Sequence, residues 1–202
     1  MLLEMKNLRK NLSQQRRRIS SFQHRQTEQR IVQQLLKSVA FQHAQHIGVY
    51  LHAFGEVKTH RIIMNSFARG KTVYLPMICN MNQCLHWVRI SKQQYLNKRF
   101  SAHPLGMKEP MQARARQVNQ LDLLLMPLLA CDSLGTRIGM GGGYYDRTLA
   151  KAPVKPIRMG LAHDFQFCPQ PLYRQKWDQP LDALMTPSKS YRFKRNLRKN
   201  SV

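Results

Sequence analysis

Acidic residues are scarce in this chain: 10 Asp and Glu stand against 33 Lys and Arg, a formal charge of +23. The shortage excludes an acidic disordered tail, and the 43% of hydrophobic residues spread along 202 positions exclude most fibrous classes. Long apolar runs are lacking too. The longest, Leu123 to Cys131, is interrupted by Pro127 and falls short of the roughly 18 residues that a membrane span needs. The start, Met1 to Lys6, has Glu4 where a secretory signal carries its apolar core, and no small-residue cleavage site follows, so a cytoplasmic protein is expected. Cysteine is sparse: Cys79, Cys84, Cys131 and Cys168 include no C-x-x-C, which disfavours zinc and leaves reduced thiols. At roughly 100–200 residues per domain the length fits a single domain, read here as 1-190, with 191-202 as a basic, flexible tail.

What is abundant is positive charge, clustered at both ends: Arg9, Lys10, Arg16, Arg17 and Arg18, then Lys189, Arg192, Lys194, Arg195, Arg198 and Lys199. Such a balance calls for a polyanionic partner. Nucleic acid and a phosphorylated small molecule fit equally well, because each offers phosphates to neutralise.

From Leu2 to Ala40 there is no Pro or Gly, and apolar residues recur at spacings of three, four or seven, which predicts two amphipathic helices parting near Ser20-Ser21. His46 to His52 then reads as a strand, Thr59 to Ala68 as a helix, and Thr72 to Leu75 as a strand stopped by Pro76, together a β-α-β unit. Cys84 to Ile90 is a further strand. The polar, basic stretch Ser91 to Arg116 reads as irregular and as a candidate lid. Leu121 to Met126 is nearly continuous in apolar character, as strands buried on both faces are. A short helix from Tyr144 and a strand from Ile157 to Ala162 complete an alternation that argues for a mainly parallel sheet in an α/β layer fold.

The most unusual segment runs from Gly135 to Arg147, where Gly139, Gly141, Gly142 and Gly143 fall within five positions just before the predicted helix. Without Cβ atoms such a backbone approaches a ligand closely and turns successive N–H groups toward an anion. No Gly-Lys-Ser/Thr ends it, so it is not a Walker A loop, and Tyr144 stands where the last glycine of G-x-G-x-x-G belongs. On spacing alone a phosphate cradle and a flexible turn are equally good readings.

The wider pattern decides between them. The run G-M-G-G-G-Y-Y-D-R after Met126-Pro127-Leu128 closely resembles the signature of the 5-formyltetrahydrofolate cyclo-ligase (5,10-methenyltetrahydrofolate synthetase) family. Further matches fall in the same order: the Arg9 helix, Tyr50-Leu51 through Glu56 and Thr59, Gly70-Lys71 through Pro76, Gly106 through Glu109-Pro110, Gly160 through Asp164-Phe165-Gln166, and Trp177-Asp178 through Lys189. The resemblance implies a Rossmann-like three-layer α/β/α fold with a mainly parallel sheet, similar to the NagB/RpiA/CoA-transferase-like fold. It further implies an ATP-dependent ligase that cyclises 5-formyltetrahydrofolate to 5,10-methenyltetrahydrofolate with magnesium, releasing ADP and phosphate.

Carried across by position, the resemblance makes Arg9, Arg137, Ile138, Gly139, Met140, Gly141, Gly142, Gly143, Tyr144 and Tyr145 the nucleotide contacts. Leu51, Glu56 and the loop from Met140 to Tyr144 meet the folate, Glu56 through the pterin amino and ring N–H groups. Tyr144 and Arg147 are the catalytic candidates, and Asp146 and Asp178 the magnesium carboxylates. Read alone, Arg9 is an exposed helix charge, Asp146 a first-turn acid complementing a helix dipole, and Glu56 a solvated loop charge. The expected partner is the folate, with or without a polyglutamate tail; no membrane or nucleic acid is called for, and a monomer is the simplest state. Two positions depart from the family pattern. Met5 stands where a lysine is frequent, with Lys6 beside it, and Met140 and Gly142 replace basic residues common in the glycine loop.

Overall fold

The computed structural model describes residues 2–104, 106–111 and 114–195. It opens with the two helices that a start free of Pro and Gly favours, α1 (Leu2–Arg17) and α2 (Ser21–Lys37). Ser20 parts them with a capping box: its hydroxyl accepts from the Gln23 N–H at 3.2 Å, while the Gln23 side chain accepts from the Ser20 N–H at 2.9 Å. Two N–H groups that would be orphaned at a helix start are thereby satisfied. A short α3 (Val39–His43) leads to β1 (His46–Gly48), then α4 (His60–Ala68) and β2 (Thr72–Cys79). β1 and β2 pair in parallel with Ile47 opposite Val73, so the expected β-α-β unit is present.

β2 turns back into β3 (Cys84–Ile90); α5 (Lys92–Leu96), the antiparallel pair β4 (Phe100–Ala102) and β5 (Lys108–Pro110), and β6 (Ala115–Arg116) follow. Next come β7 (Leu123–Met126), β8 (Ala130–Asp132), β9 (Arg137–Ile138) and α6 (Tyr144–Ala150). The chain closes with β10 (Ile157–Leu161), β11 (Phe167–Cys168), β12 (Ala183–Met185) and β13 (Ser190–Arg192). The main sheet has eight strands in the order β13-β12-β10-β7-β1-β2-β3-β6. Its five central strands are parallel, and β13, β3 and β6 pair antiparallel at the margins. This is the α/β architecture with a mainly parallel sheet that the alternation predicted.

Strand alternation splits β7 between two cores. Leu123 and Leu125 face Ile31, Leu35, Ile62 and Ile63 of α2 and α4, whereas Leu124 and Met126 face Leu149 of α6 and Trp87. All four β7 side chains are buried, as the unbroken apolar run requires. A smaller third cluster seats α1 through Leu12 on Leu129, Ala130 and Ile138. Among the described residues no helix is long and apolar enough to cross a membrane.

Four expectations change. The strand read over 46–52 ends at Gly48, because the following backbone is claimed by a loop: Tyr50 donates through its hydroxyl to the Val57 carbonyl at 3.1 Å, and Thr59 donates to the Tyr50 carbonyl at 2.8 Å. Pro76 does not stop β2. β1 has already ended opposite Tyr74, so the missing N–H leaves no ladder partner unserved on that side. The irregular stretch 91–116 contains α5 and three short strands. Residues 191 and 193, read as part of a flexible tail, are packed: Tyr191 lies in β13 and stacks on Phe167 with ring centroids 4.0 Å apart, and Phe193 fills the space where a Cβ on Gly135 would sit. Arg198 and Lys199 lie outside the described residues.

Candidate active site

The order of the parallel strands fixes where a ligand can enter. From β1 the chain proceeds to β2 on one side, whereas β7 proceeds to β10 and β12 on the other, so a crevice opens beyond the carboxyl ends of β1 and β7. There lies a cavity of about 620 Å³, bounded by Tyr50 and Leu51 after β1, Pro127 and Leu128 after β7, and the glycine loop before α6.

The loop's geometry follows from its composition. Gly141 (φ +102°) and Gly143 (φ +67°) occupy the left-handed region that side chains avoid. A Cβ on Gly142 would sit 2.6 Å from the Tyr144 ring. The backbone N–H groups of residues 139–143 find no acceptor among the described residues, leaving a row of donors at the cavity wall. The base of the loop is pinned by buried Asp132, whose carboxylate accepts from the N–H groups of Leu134, Thr136 and Leu172 at 2.7–2.9 Å.

One face of α1 supplies the cations. Met5, Arg9, Leu12 and Arg16 follow one another at helical spacing. Arg9 donates to the Gly139 carbonyl at 3.3 Å. Arg16 is 1% exposed; it donates to the carbonyls of Phe54 at 2.9 Å and Leu128 at 3.0 Å and touches the Met140 sulfur at 3.7 Å. It therefore ties together the loop after β1, the end of β7 and the glycine loop. Burial lowers its pKa, opposed by Glu56. In the sequence Arg16 stands as one of a basic run; its place seven residues beyond Arg9, on the same helix face, is the signal that sets it apart.

Glu56 is not a solvated loop charge. Its side chain is 12% exposed, accepts from the Ala53 N–H at 3.0 Å and lies 3.8 Å from Arg16. Burial raises its pKa, and the Ala53 hydrogen bond and Arg16 work against that rise. Tyr145 lies near it, under the Arg137 guanidinium at 5.3 Å, and burial pushes its phenol up so that it keeps its proton.

Arg137 is buried and donates to Asp146 Oδ2 at 2.9 Å, while Asp146 Oδ1 accepts from the Gln179 N–H at 3.1 Å. Asp178 lines the same cavity and accepts from the Gln175 N–H at 2.7 Å. Burial raises the Asp178 pKa, the Gln175 hydrogen bond opposes the rise, and the neighbouring Asp146 adds to it. Asp146 and Asp178 thus place two carboxylates in the lining of one cavity. Among the described residues no three His, Cys, Asp or Glu side chains gather as a complete metal site. The oxygen donors of Asp146 and Asp178 are of the kind a hard cation such as magnesium takes, one or two carboxylates with waters and substrate phosphates as its other ligands.

The cavity thus gathers every predicted nucleotide, folate and metal residue, and Tyr144 with them. Arg147 is the exception. Its guanidinium is outside the lining, donating to the carbonyls of Gly142 at 2.7 Å and Gln83 at 3.0 Å and stacking on Tyr144 at 5.2 Å, so it braces the loop from behind. Met5 rather than Lys6 faces the cavity, and Lys6 is exposed. His163 and Asp164 are held structurally: His163 bridges Thr27 at 3.3 Å and the Gly55 carbonyl at 3.2 Å, and Asp164 accepts from Ser188 at 2.9 Å. Phe54, Glu109 and Trp177 also line the cavity and were not predicted as site residues.

The chain is similar to known proteins along most of its length. The model of the "5-formyltetrahydrofolate cyclo-ligase family" matches residues 3–187. The 5-formyltetrahydrofolate cyclo-ligase of Escherichia coli strain K12 is 33% identical over 186 residues, covering 88% of this chain and 97% of the relative. That of Haemophilus influenzae is 32% identical over 178 residues, covering 86% and 92%. The NMR structure of Aquifex aeolicus 5,10-methenyltetrahydrofolate synthetase superposes with a TM-score of 0.79 at 26% identity, covering 98% of this chain and 95% of that one. Fold, cavity and relatives converge, and the chain belongs to the 5-formyltetrahydrofolate cyclo-ligase family.

Proposed function

We propose that the chain closes the ring of 5-formyltetrahydrofolate to 5,10-methenyltetrahydrofolate, consuming ATP and releasing ADP and phosphate. The observation that carries this reading is the meeting, in one cavity, of the glycine-loop N–H groups, which have no acceptor among the described residues, the carboxylates of Asp146 and Asp178, and the largely buried carboxylate of Glu56. The N5 formyl group is an amide whose oxygen leaves poorly. Transfer of the γ-phosphoryl group to that oxygen turns it into a phosphate; N10 then bonds to the formyl carbon and gives up its proton, and the C–O bond breaks as phosphate departs.

Phosphoryl transfer asks a protein mainly for positioning and charge neutralisation. The N–H groups of residues 139–143 with Arg9 and Arg137 suit the phosphates, and Tyr144 suits the junction between the two ligands. Asp146 and Asp178 would hold magnesium, which when bound neutralises phosphate charge. Glu56 accepts hydrogen bonds from the pterin amino and ring N–H groups, with Leu51 against the ring. Arg147 acts one step removed, by fixing the Gly142 carbonyl and the Tyr144 ring.

The test mixes purified protein with 5-formyltetrahydrofolate and MgATP and follows the near-ultraviolet absorbance of the methenyl product. Signal is expected from the parent and should be largely lost in Asp178→Asn. A parent that forms no product refutes the reading.

A further inference from the structure

The loop between β1 and α4 contains a conformation that its sequence does not favour. Phe54 (φ +50°) and Gly55 (φ +77°) are the central residues of a tight turn closed by the Glu56 N–H on the Ala53 carbonyl at 2.9 Å. Two successive positive φ values define a primed turn, whose first central position is normally Asn, Asp or Gly. Besides Phe54, the non-glycine residues with positive φ among the described residues are Gln83 and Lys98, both exposed in surface turns. Phe54 alone of the three lines the cavity.

The turn is held from both sides by buried groups. Arg16 donates to the Phe54 carbonyl at 2.9 Å, and His163 Nε2, 3.2 Å from the Gly55 carbonyl, must carry its proton to pair with that acceptor. Thr27 then donates to Nδ1 at 3.3 Å. A Cβ on Gly55 would stand 2.3 Å from the Arg16 carbonyl oxygen, so the turn presses directly on the end of α1. The ring is fixed as well. The Arg17 guanidinium lies 5.6 Å from its centroid, and the hairpin between β4 and β5 approaches so closely at Gly106 that a Cβ there would be 2.9 Å from Phe54 Cζ.

Strain of this kind persists where the surroundings over-determine it and something is gained from it. Asn or Gly at position 54 would relax the backbone but remove the ring. We infer that the Phe54 ring is a substrate-contacting wall that packs on a flat ring of the folate and so sets affinity for the folate alone. The inference rests on the folate reading of the cavity. It adds a residue to which the resemblance assigns no role.

Calorimetric titration of the full chain with 5-formyltetrahydrofolate and, separately, with MgATP tests it, using Phe54→Asn, Phe54→Tyr and the parent, with thermal melting as the check on folding. Losing an aromatic contact corresponds to about tenfold in affinity. Phe54→Asn should therefore bind the folate about tenfold more weakly and MgATP unchanged, and Phe54→Tyr should restore the parent value. The inference is overturned if Phe54→Asn binds the folate like the parent, if folate and nucleotide weaken equally, or if Phe54→Tyr fails to restore binding. A parent that binds the folate in this Phe54-dependent way but makes no methenyl product would sink the cyclisation reading and support the wall. A parent that does not bind the folate removes both.

Discussion

Replacing Arg16 with Met probes the group on which most of the site converges. The side chains have similar reach, so the change removes the guanidinium while keeping an apolar stem. The buried Leu128 carbonyl and the partly buried Phe54 carbonyl lose a charged donor, and Glu56 loses the Arg16 cation at 3.8 Å. Hydrogen bonds to charged groups contribute about 1.5–3 kcal/mol each, and stripping one partner from a buried ion pair costs about 3–5 kcal/mol. These contributions overlap because the groups touch, and relief from burying a charge offsets part of the loss. The net expectation is about 2–4 kcal/mol, or roughly 5–15 °C in Tm for a chain of this size. Urea denaturation with thermal melting measures it, and steady-state kinetics should show the KM for folate rising, because the turn bearing Glu56 is no longer held. An Arg16→Met protein with parent stability and parent KM would refute the claim that Arg16 organises the cavity.

Glu56→Gln should abolish most turnover and change how stability depends on pH. Burial disfavours the ionised carboxylate and raises its pKa, so parent stability should fall as pH rises from the ordinary carboxylate range through the folded pKa, and that fall should be missing from the variant; melting curves across pH check the sign. His163 works in the opposite direction: burial depresses its pKa to about 4, so stability is full above about pH 6.5 and falls as pH drops toward 4, by up to about 3 kcal/mol, measured by urea titration. In the glycine loop, Gly142→Ala must displace the Tyr144 ring, 2.6 Å from the added methyl, and should raise the KM for ATP at least tenfold. Titration with MgATP should register the same weakening; unchanged nucleotide affinity would mean that the loop does not hold the phosphates.

The parallel sheet was legible because β7 is apolar at every position and the helices preceding it carry the spacing of an amphipathic face. The glycine loop, Asp146, Asp178 and Glu56 were legible as members of a spaced pattern. What the chain order concealed are convergences between distant backbone atoms. Helical spacing from Arg9 sets Arg16 apart from Arg17 in the run of arginines, but that Arg16 is buried and Arg17 exposed follows only once Phe54 and Leu128 offer their carbonyls. Arg147 reads as a site cation by its position in the motif, yet its donors are occupied by Gly142 and Gln83, the latter contributed by a hairpin 64 positions away. Pro76 reads as a strand end, and only the early termination of β1 makes it harmless.

Cyclisation by this route requires that the formyl oxygen receive the phosphoryl group. Supplying 5-formyltetrahydrofolate labelled with ¹⁸O in the formyl group, together with MgATP and the parent protein, tests that step directly. Mass spectrometry of the released inorganic phosphate should find one label per methenyl product formed. Label in the water, with unlabelled phosphate, would contradict the account.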